Sequence, residues 1–281
     1  MSFAALILAI LICVPVCLTS SADGVDSSGR DTVGTLPLVL KAEGDVPEYT
    51  GQLSLGGAVA DGAILLTGAD AALIPQKDLL CNLLAGEVTE EKLAMSVADN
   101  ELVTVSVSGK QLKEILEAGL SHLTLNDTTK RIDYEQSVFD GFPQVGGFTY
   151  EGDLSAPVGD RVVYITLDDG TELSLEDETE HVLFVTTAEV ASGAYGYPKL
   201  EAHAVGSGER DALTAIIESG TLNAQYSVKN RLKLIGHTGD SLAGYYPVGI
   251  IAVAAIIVIM MTARSETGFI EMLRSRWSSR E

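Results

Sequence analysis

Residues 188–200 read AEVASGAYGYPKL and hold the groups best suited to meeting a ligand. Gly193 and Gly196 flank Tyr195, and Tyr197 follows. Glycines let a flat molecule approach the backbone, and a tyrosine ring offers it an apolar face with a polar tip. Tyr195 and Tyr197 are therefore candidate ligand-binding residues. Two tyrosines beside glycines also serve to cover a sheet edge or the end of a core, and the sequence leaves both uses open. Bond-breaking chemistry finds less support. His122, His181, His203 and His237 are scattered, and none has the neighbours of a metal ligand. A metal centre needs several convergent donors, so even His237 in LIGHTGD is not assigned as one. G-x-S-x-G, H-E-x-x-H and P-loop patterns are missing. The reading is no catalytic residue, no metal and no cofactor.

The elements that must position the tyrosines lie between two apolar ends. The chain has 281 residues and a formal net charge of −21. Met1 to Leu18 is almost wholly apolar, and Ser20-Ser21-Ala22 supplies the small residues of a signal-peptidase site. Residues 1–22 read as a secretory signal, the alternative being an uncleaved anchor. Pro247 to Ala263 is a second apolar run. At ~1.5 Å per residue it spans roughly 25 Å, enough for a hydrocarbon core. Tyr245 and Tyr246 precede it as interfacial aromatics, and Arg264, Arg274, Arg276 and Arg280 follow on the cytoplasmic side. The expected layout is a leader with a first strand over 23–50, a folded domain over 51–236 and a linker over 237–244. A transmembrane helix over 245–263 and a cytoplasmic tail over 264–281 complete it. The domain then stands outside the cell on a single-pass membrane anchor. Phe269, Ile270, Leu273 and Trp277 give the tail an apolar face for the inner membrane surface.

Residues 23–244 hold 14 basic and 36 acidic residues. That balance repels nucleic acid and anionic lipid. Cys81 is the one cysteine outside the N-terminal segment, so no disulfide forms within the domain. Cys81, between Leu80 and Leu83, reads as a buried small apolar residue. Within the domain, 55–68 predicts a short helix with Val59, Ile64 and Leu65 on its stripe, and AALI at 71–74 predicts a buried strand. Thr89 caps a helix over EEKLAM. The clearest unit is 101–120: a β-branched strand, Ser108 as helix cap with Gln111 at capping-box spacing, and Leu112, Ile115, Leu116 and Leu120 on one face. Strands follow at 146–150, 160–167 and 181–187, with a DDG turn at 168–170 before TELSL. A helix over 209–220 and a strand over 228–236 end the domain. Strands and helices mix without βαβ alternation, so the fold class is α+β, mixed β-sheets with flanking helices.

These units, in this order, resemble the C-terminal domain of the 5'-nucleotidase family. LGGAVADG at 55–62 looks like the family's LGNLIADA helix, and ADAALI at 69–74 like the strand before its NGGGIR turn. GEVTEEKL at 86–93 looks like its G-x-I-T helix start, and LVTVSVSGKQLKEILE at 102–117 like its strand–helix unit. FPQVGGFTYEGDLSAPVGDRV at 142–162 is similar to its F-L-Q-V-S-G and G-D-R-V segments, and AEVASGAYGY to its F-L-A-x-G-G-D-G-F/Y loop. The resemblance implies a nucleoside-gripping domain whose catalytic metallophosphoesterase domain is separate, and the 281 residues leave no room for the latter. It also implies losses. The NGGGIR arginine falls on Leu80, in PQKDLL. The aromatic of the family's P-F-x-N falls on Ala98, with Asn100 retained as its asparagine and a third candidate ligand-binding residue. The second aromatic survives as Tyr197, and the ribose aspartate falls on Tyr195. The expected function is a degenerate nucleoside-binding module with a binding or scaffold role. The alternative is an accessory, substrate-presenting subunit acting with a separate metallophosphoesterase chain.

Overall fold

The computed structural model describes residues 32–43, 51–223, 226 and 231–237. The expected signal, transmembrane helix and tail lie outside these residues. Among the described residues no helix is long and apolar enough to cross a membrane.

Among the described residues, ten strands and five helices alternate irregularly, as expected of an α+β chain. The strands are β1 Thr32–Leu36, β2 Ala71–Pro75, β3 Gly86–Thr89, β4 Glu101–Ser108, β5 Pro143–Gly146, β6 Phe148–Asp153, β7 Val162–Leu167, β8 His181–Thr187, β9 His203–Gly208 and β10 Leu232–Ile235. The helices are α1 Ser54–Thr67, α2 Glu90–Ser96, α3 Gly109–Leu120, α4 Ala188–Ala191 and α5 Glu209–Glu218. The main sheet has the order β5-β2-β8-β4-β9. Within it only β2 and β8 run parallel. A second sheet, β10-β6-β7, and the ribbon β1-β3 complete the fold.

Two apolar layers follow from strand alternation. On one face of the main sheet, Ala72, Ile74, Leu102 and Val185 pack with α1 and α5. On the other, Leu73, Val107 and Phe184 pack with α3 and with Phe148 and Ile165 of the second sheet. The LGGAVADG glycines are spacing devices. A Cβ on Gly56 would lie 2.6 Å from Cβ of Gln144, and one on Gly62 would collide with the Ala212 carbonyl of α5. Gly62→Ala is expected to force α1 and α5 apart, with a loss of about 1–3 kcal/mol. In a domain of this size that lowers Tm by about 2–4 °C per kcal/mol, readable by thermal denaturation.

The caps agree with the sequence. Ser108 Oγ accepts from Gln111 N–H and Gln111 Oε1 from Ser108 N–H, a complete capping box. Thr89 Oγ1 accepts from Lys92 N–H. Within the expected 23–50 segment the first strand occupies Thr32–Leu36, because TVGTL pairs antiparallel with GEVT of β3. Several expectations need correction. The α1 stripe is Leu55, Ala58, Val59 and Ala63, and Leu65 is exposed. TELSL forms only a bridge from Glu172 to Thr166, not a strand. The strand β9 follows 188–200 unforeseen, because HAVGSG is short and glycine-broken. Cys81 is only partly buried, with Sγ 3.1 Å from the Met95 carbonyl. Its neighbours Leu80 and Leu84 point to solvent, so the apolar run there is not core.

Candidate functional site

The C-terminal ends of β2 and β8, the start of β4 and the loop entering β5 lie at the same end of the main sheet. After β2 the chain makes one 3₁₀ turn, Gln76–Asp78, held by Gln76 N–H donating to the Phe142 carbonyl and Lys77 N–H to the Asp140 carbonyl. Behind the turn lies Gln144, fully buried. Its Oε1 accepts from Leu53 N–H at 2.6 Å, and its Nε2 donates to the Gly51 carbonyl and to Gln76 Oε1. Gln52 pairs both ways with the Val145 backbone. The FPQVGG segment is thus a polar clasp joining β5, the start of α1 and the 76–78 turn.

After β8, Thr187 caps α4, and the chain then turns through Gly193 at φ 93°, Tyr195 at φ 59° and Gly196 at φ 79°. Tyr195 is a non-glycine residue in the left-handed region, a conformation of order 1 kcal/mol or more above an ordinary one. That turn presents its ring to Lys77. Nζ of Lys77 lies 4.7 Å from the Tyr195 ring centroid and 3.0 Å from Glu189 Oε1. Cation–π attraction and an ion pair therefore act on one ammonium. The close approach of Tyr195, and then the hydrogen bond to Glu189, hold the Lys77 pKa above its usual value. Desolvation pushes the Glu189 carboxyl up, but Lys77 and Tyr195 outweigh it and leave the group below its ordinary range. Burial raises the Tyr195 phenol. Its hydroxyl is enclosed beside Lys77 and Glu189 without completing a well-aligned hydrogen bond to either.

The aromatic neighbourhood is layered. His122 stacks on Phe139 at 3.7 Å and 6°, and Phe139 meets Tyr195 edge-on at 6.4 Å. Tyr197 lies beneath, only 4% exposed, 6.4 Å from Phe139. Its hydroxyl donates to the Gly141 carbonyl at 2.7 Å. A Cβ on Gly141 would lie 2.5 Å from Tyr195 Cβ, so that glycine admits the ring.

The candidate residues therefore separate. Tyr195 faces the site, with Lys77 over its ring. Tyr197 belongs to the core under it. Asn100 lies beside the start of α5, its N–H donating to Glu209 Oε2 and its carbonyl accepting from Glu209 N–H. Lys77, Glu189, Phe139 and His122 are part of the cluster and went unrecognised in the sequence. Lys77 was visible as a charge replacing a glycine of the family's turn; the others carried no local signal. A groove of ≈ 520 Å³ between β4 and the Lys199–His203 segment contains none of the candidates. Among the described residues no group of three His, Cys, Asp or Glu side chains converges as a metal site.

Comparison with known proteins places this geometry. The family model for the 5'-nucleotidase, C-terminal domain, matches residues 32–202. The trifunctional nucleotide phosphoesterase protein YfkN of Bacillus subtilis (strain 168) is 28% identical over 156 residues, which is 53% of this chain and 10% of that protein. The 5'-nucleotidase precursor of Thermus thermophilus superposes with a TM-score of 0.59 at 21% identity, covering 74% of this chain and 40% of its own. The NAD nucleotidase NadN of Haemophilus influenzae gives 0.57 at 18%, covering 74% and 39%. At these identities the structural likeness is one of fold, and this chain spans well under half of each relative's length. The family match extends over more than half of the chain and through the 76–78 turn, the polar clasp and the tyrosine loop, and the chain belongs to the 5'-nucleotidase C-terminal domain family.

Proposed function

We propose that this chain is a membrane-anchored extracellular module built on the nucleoside-gripping domain of 5'-nucleotidases. Its nucleoside site is degenerate, it has no catalytic centre of its own, and its role is binding or scaffolding. The observation that supports this reading is the Lys77 ammonium over the Tyr195 ring, which covers the one face that this loop's exposed tyrosine would offer a ligand. The ring of Tyr197 is buried with its hydroxyl committed. Ala98 supplies no opposing aromatic face, and Leu80, where the family carries its arginine, is an exposed apolar residue. Losing one stacking face removes roughly 1–3 kcal/mol. Losing a charge-assisted contact removes roughly another 1.5–3 kcal/mol. Together they weaken binding by about two to four powers of ten.

A thermal-shift series on the full chain in mild detergent tests this. The expected result is an unchanged Tm with adenosine, AMP and uridine. A rise that Tyr195→Ala removes would overturn the reading. Anchoring is tested separately in sealed vesicles carrying the chain, where externally added protease should release the 51–236 domain and spare the arginine-rich tail.

A second reading rests on coverage. The chain accounts for 40% of the Thermus nucleotidase, and a separate metallophosphoesterase chain would supply the remainder. This chain would then act as its accessory subunit. The expected result for that reading is faster AMP hydrolysis by such a chain when the present protein is added; no change counts against it.

A further inference from the structure

One pair of charges is buried beside the site and is not explained by ligand binding. Asp78, on the 76–78 turn, is 2% exposed, and Glu209, the first residue of α5, is 0% exposed. Asp78 Oδ2 and Glu209 Oε1 are enclosed, and neither accepts a hydrogen bond. One short segment brings them together: Ala98 N–H donates to the Asp78 carbonyl and Asn100 N–H to Glu209 Oε2, and the two carboxyl groups act on each other at close range. Two buried carboxylates at that range cannot both be charged without strong repulsion. Carboxylate oxygens only accept, so one must carry a proton before either orphan oxygen finds a donor.

We propose that Asp78 and Glu209 share a single proton, and that this acid–carboxylate pair is a pH-sensitive latch holding the start of α5 against the 76–78 turn. The surroundings fit one negative charge. Glu209 Oε2 accepts from Asn100 N–H at 3.2 Å, and Glu209 N–H donates to the Asn100 carbonyl. Ala98 N–H donates to the Asp78 carbonyl, so the turn, the 98–100 segment and α5 are tied at one point.

The other charged groups around the pair do not neutralise it. Lys77 favours the charged form of Asp78, and Glu189 opposes it. Arg210 is turned to the Val97 carbonyl and Asp99. The α5 N-terminus favours a charged Glu209, but desolvation and then Asp78 outweigh it and push Glu209 up to about 9, and desolvation raises Asp78 as well. The latch also gives Asn100 a role unconnected with nucleosides. Its release at high pH would free the turn that carries Lys77, so this inference holds whether or not a ligand binds.

The sign follows from proton uptake. Between about pH 4.5 and about pH 9 the folded chain keeps a proton that the unfolded chain has released. Stability contributed by the pair is full below that window and is lost as pH rises through it. Carboxyls held low, such as Glu189, contribute stability that is lost only as pH falls below the ordinary carboxylate range.

The test compares the full chain with Glu209→Gln and Asp78→Asn, each of which keeps an acceptor for its backbone or amide neighbour. Wild type should lose Tm steadily from pH 5 to pH 9, while both variants show a flatter profile and a higher Tm at pH 8. Infrared spectra at pH 7 should contain a protonated-carboxyl stretch that Glu209→Gln removes. Exchange of the Ala98 and Asn100 amides, corrected for intrinsic pH dependence, should accelerate above pH 8 in wild type only. If one variant does not fold, the other carries the test, and wild-type infrared spectra stand alone. A wild type without the protonated band at pH 7, or variants with the same pH profile, would overturn the proposal. Stabilisation by added calcium that Glu209→Gln abolishes would overturn it too, because a cation and not a proton would then bridge the pair.

Discussion

Gln144→Leu is expected to destabilise the domain by about 3 kcal/mol or more. The leucine fills nearly the same space but strips the partner from Leu53 N–H and leaves the Gly51 carbonyl and Gln76 Oε1 without their donor. Each buried group left unsatisfied costs about 1–3 kcal/mol. The damage falls where the first turn of α1 meets the 76–78 turn, so amide exchange should rise at Leu53 and Gln76 before it rises in α3. Urea denaturation of the variant measures the loss, and an unchanged midpoint would show that the clasp is dispensable. Gln144→Glu is a sharper control at a pH where the new acid is ionised: its two oxygens then accept but cannot donate, so the Leu53 contact survives while the Gly51 and Gln76 contacts fail.

The second large effect is expected at Arg231. The residue is 3% exposed; its Nη2 reaches Asp61 Oδ1 at 2.8 Å and Oδ2 at 3.0 Å, and Asp168 Oδ2 at 3.3 Å. This guanidinium ties α1 to the β6–β7 sheet, since its Nη1 also donates to the Phe148 carbonyl of β6 at 3.5 Å. Arg231→Met keeps volume and removes charge. It leaves the Asp61 carboxylate, largely shielded from water, without its cation, and breaking a buried pair in that way costs about 3–5 kcal/mol. Adding Asp61→Leu to Arg231→Met should restore much of the loss, because replacing both partners removes the uncompensated charge. A single-variant loss below about 1 kcal/mol, the range of surface pairs, would mean that solvent screens this contact.

Sequence periodicity was a reliable guide where local and tertiary demands coincide. The 101–120 unit is legible because its β-branched strand, capping box and apolar helical face all point one way. Buried β2 is legible from an uninterrupted apolar run. The errors fall where tertiary contacts decide. TVGTL becomes a strand only because GEVT lies opposite, and Leu65 leaves its stripe because close contact between α1 and α5 rests on Gly62 and small alanines rather than on large side chains. At the site, the tyrosine loop was visible as a glycine pattern, but the difference between Tyr195 and Tyr197 was not. One ring faces Lys77 and the other faces the core, and that choice is set by the left-handed turn at Tyr195 and the room left by Gly141. Asp78 and Glu209 gave no sign at all. In sequence one is a turn residue and the other an ordinary acid at a helix start; the 98–100 segment, bonded to the Asp78 carbonyl and to Glu209 N–H, is what links their two elements.

The central claim is that the ancestral nucleoside site is closed by its own side chains. Crystals of the protein soaked in adenosine test it most directly. The account predicts electron density for the Lys77 ammonium over the Tyr195 ring, unchanged from the unsoaked state, with no base between them. An adenine ring stacked on Tyr195 with Lys77 displaced would contradict it.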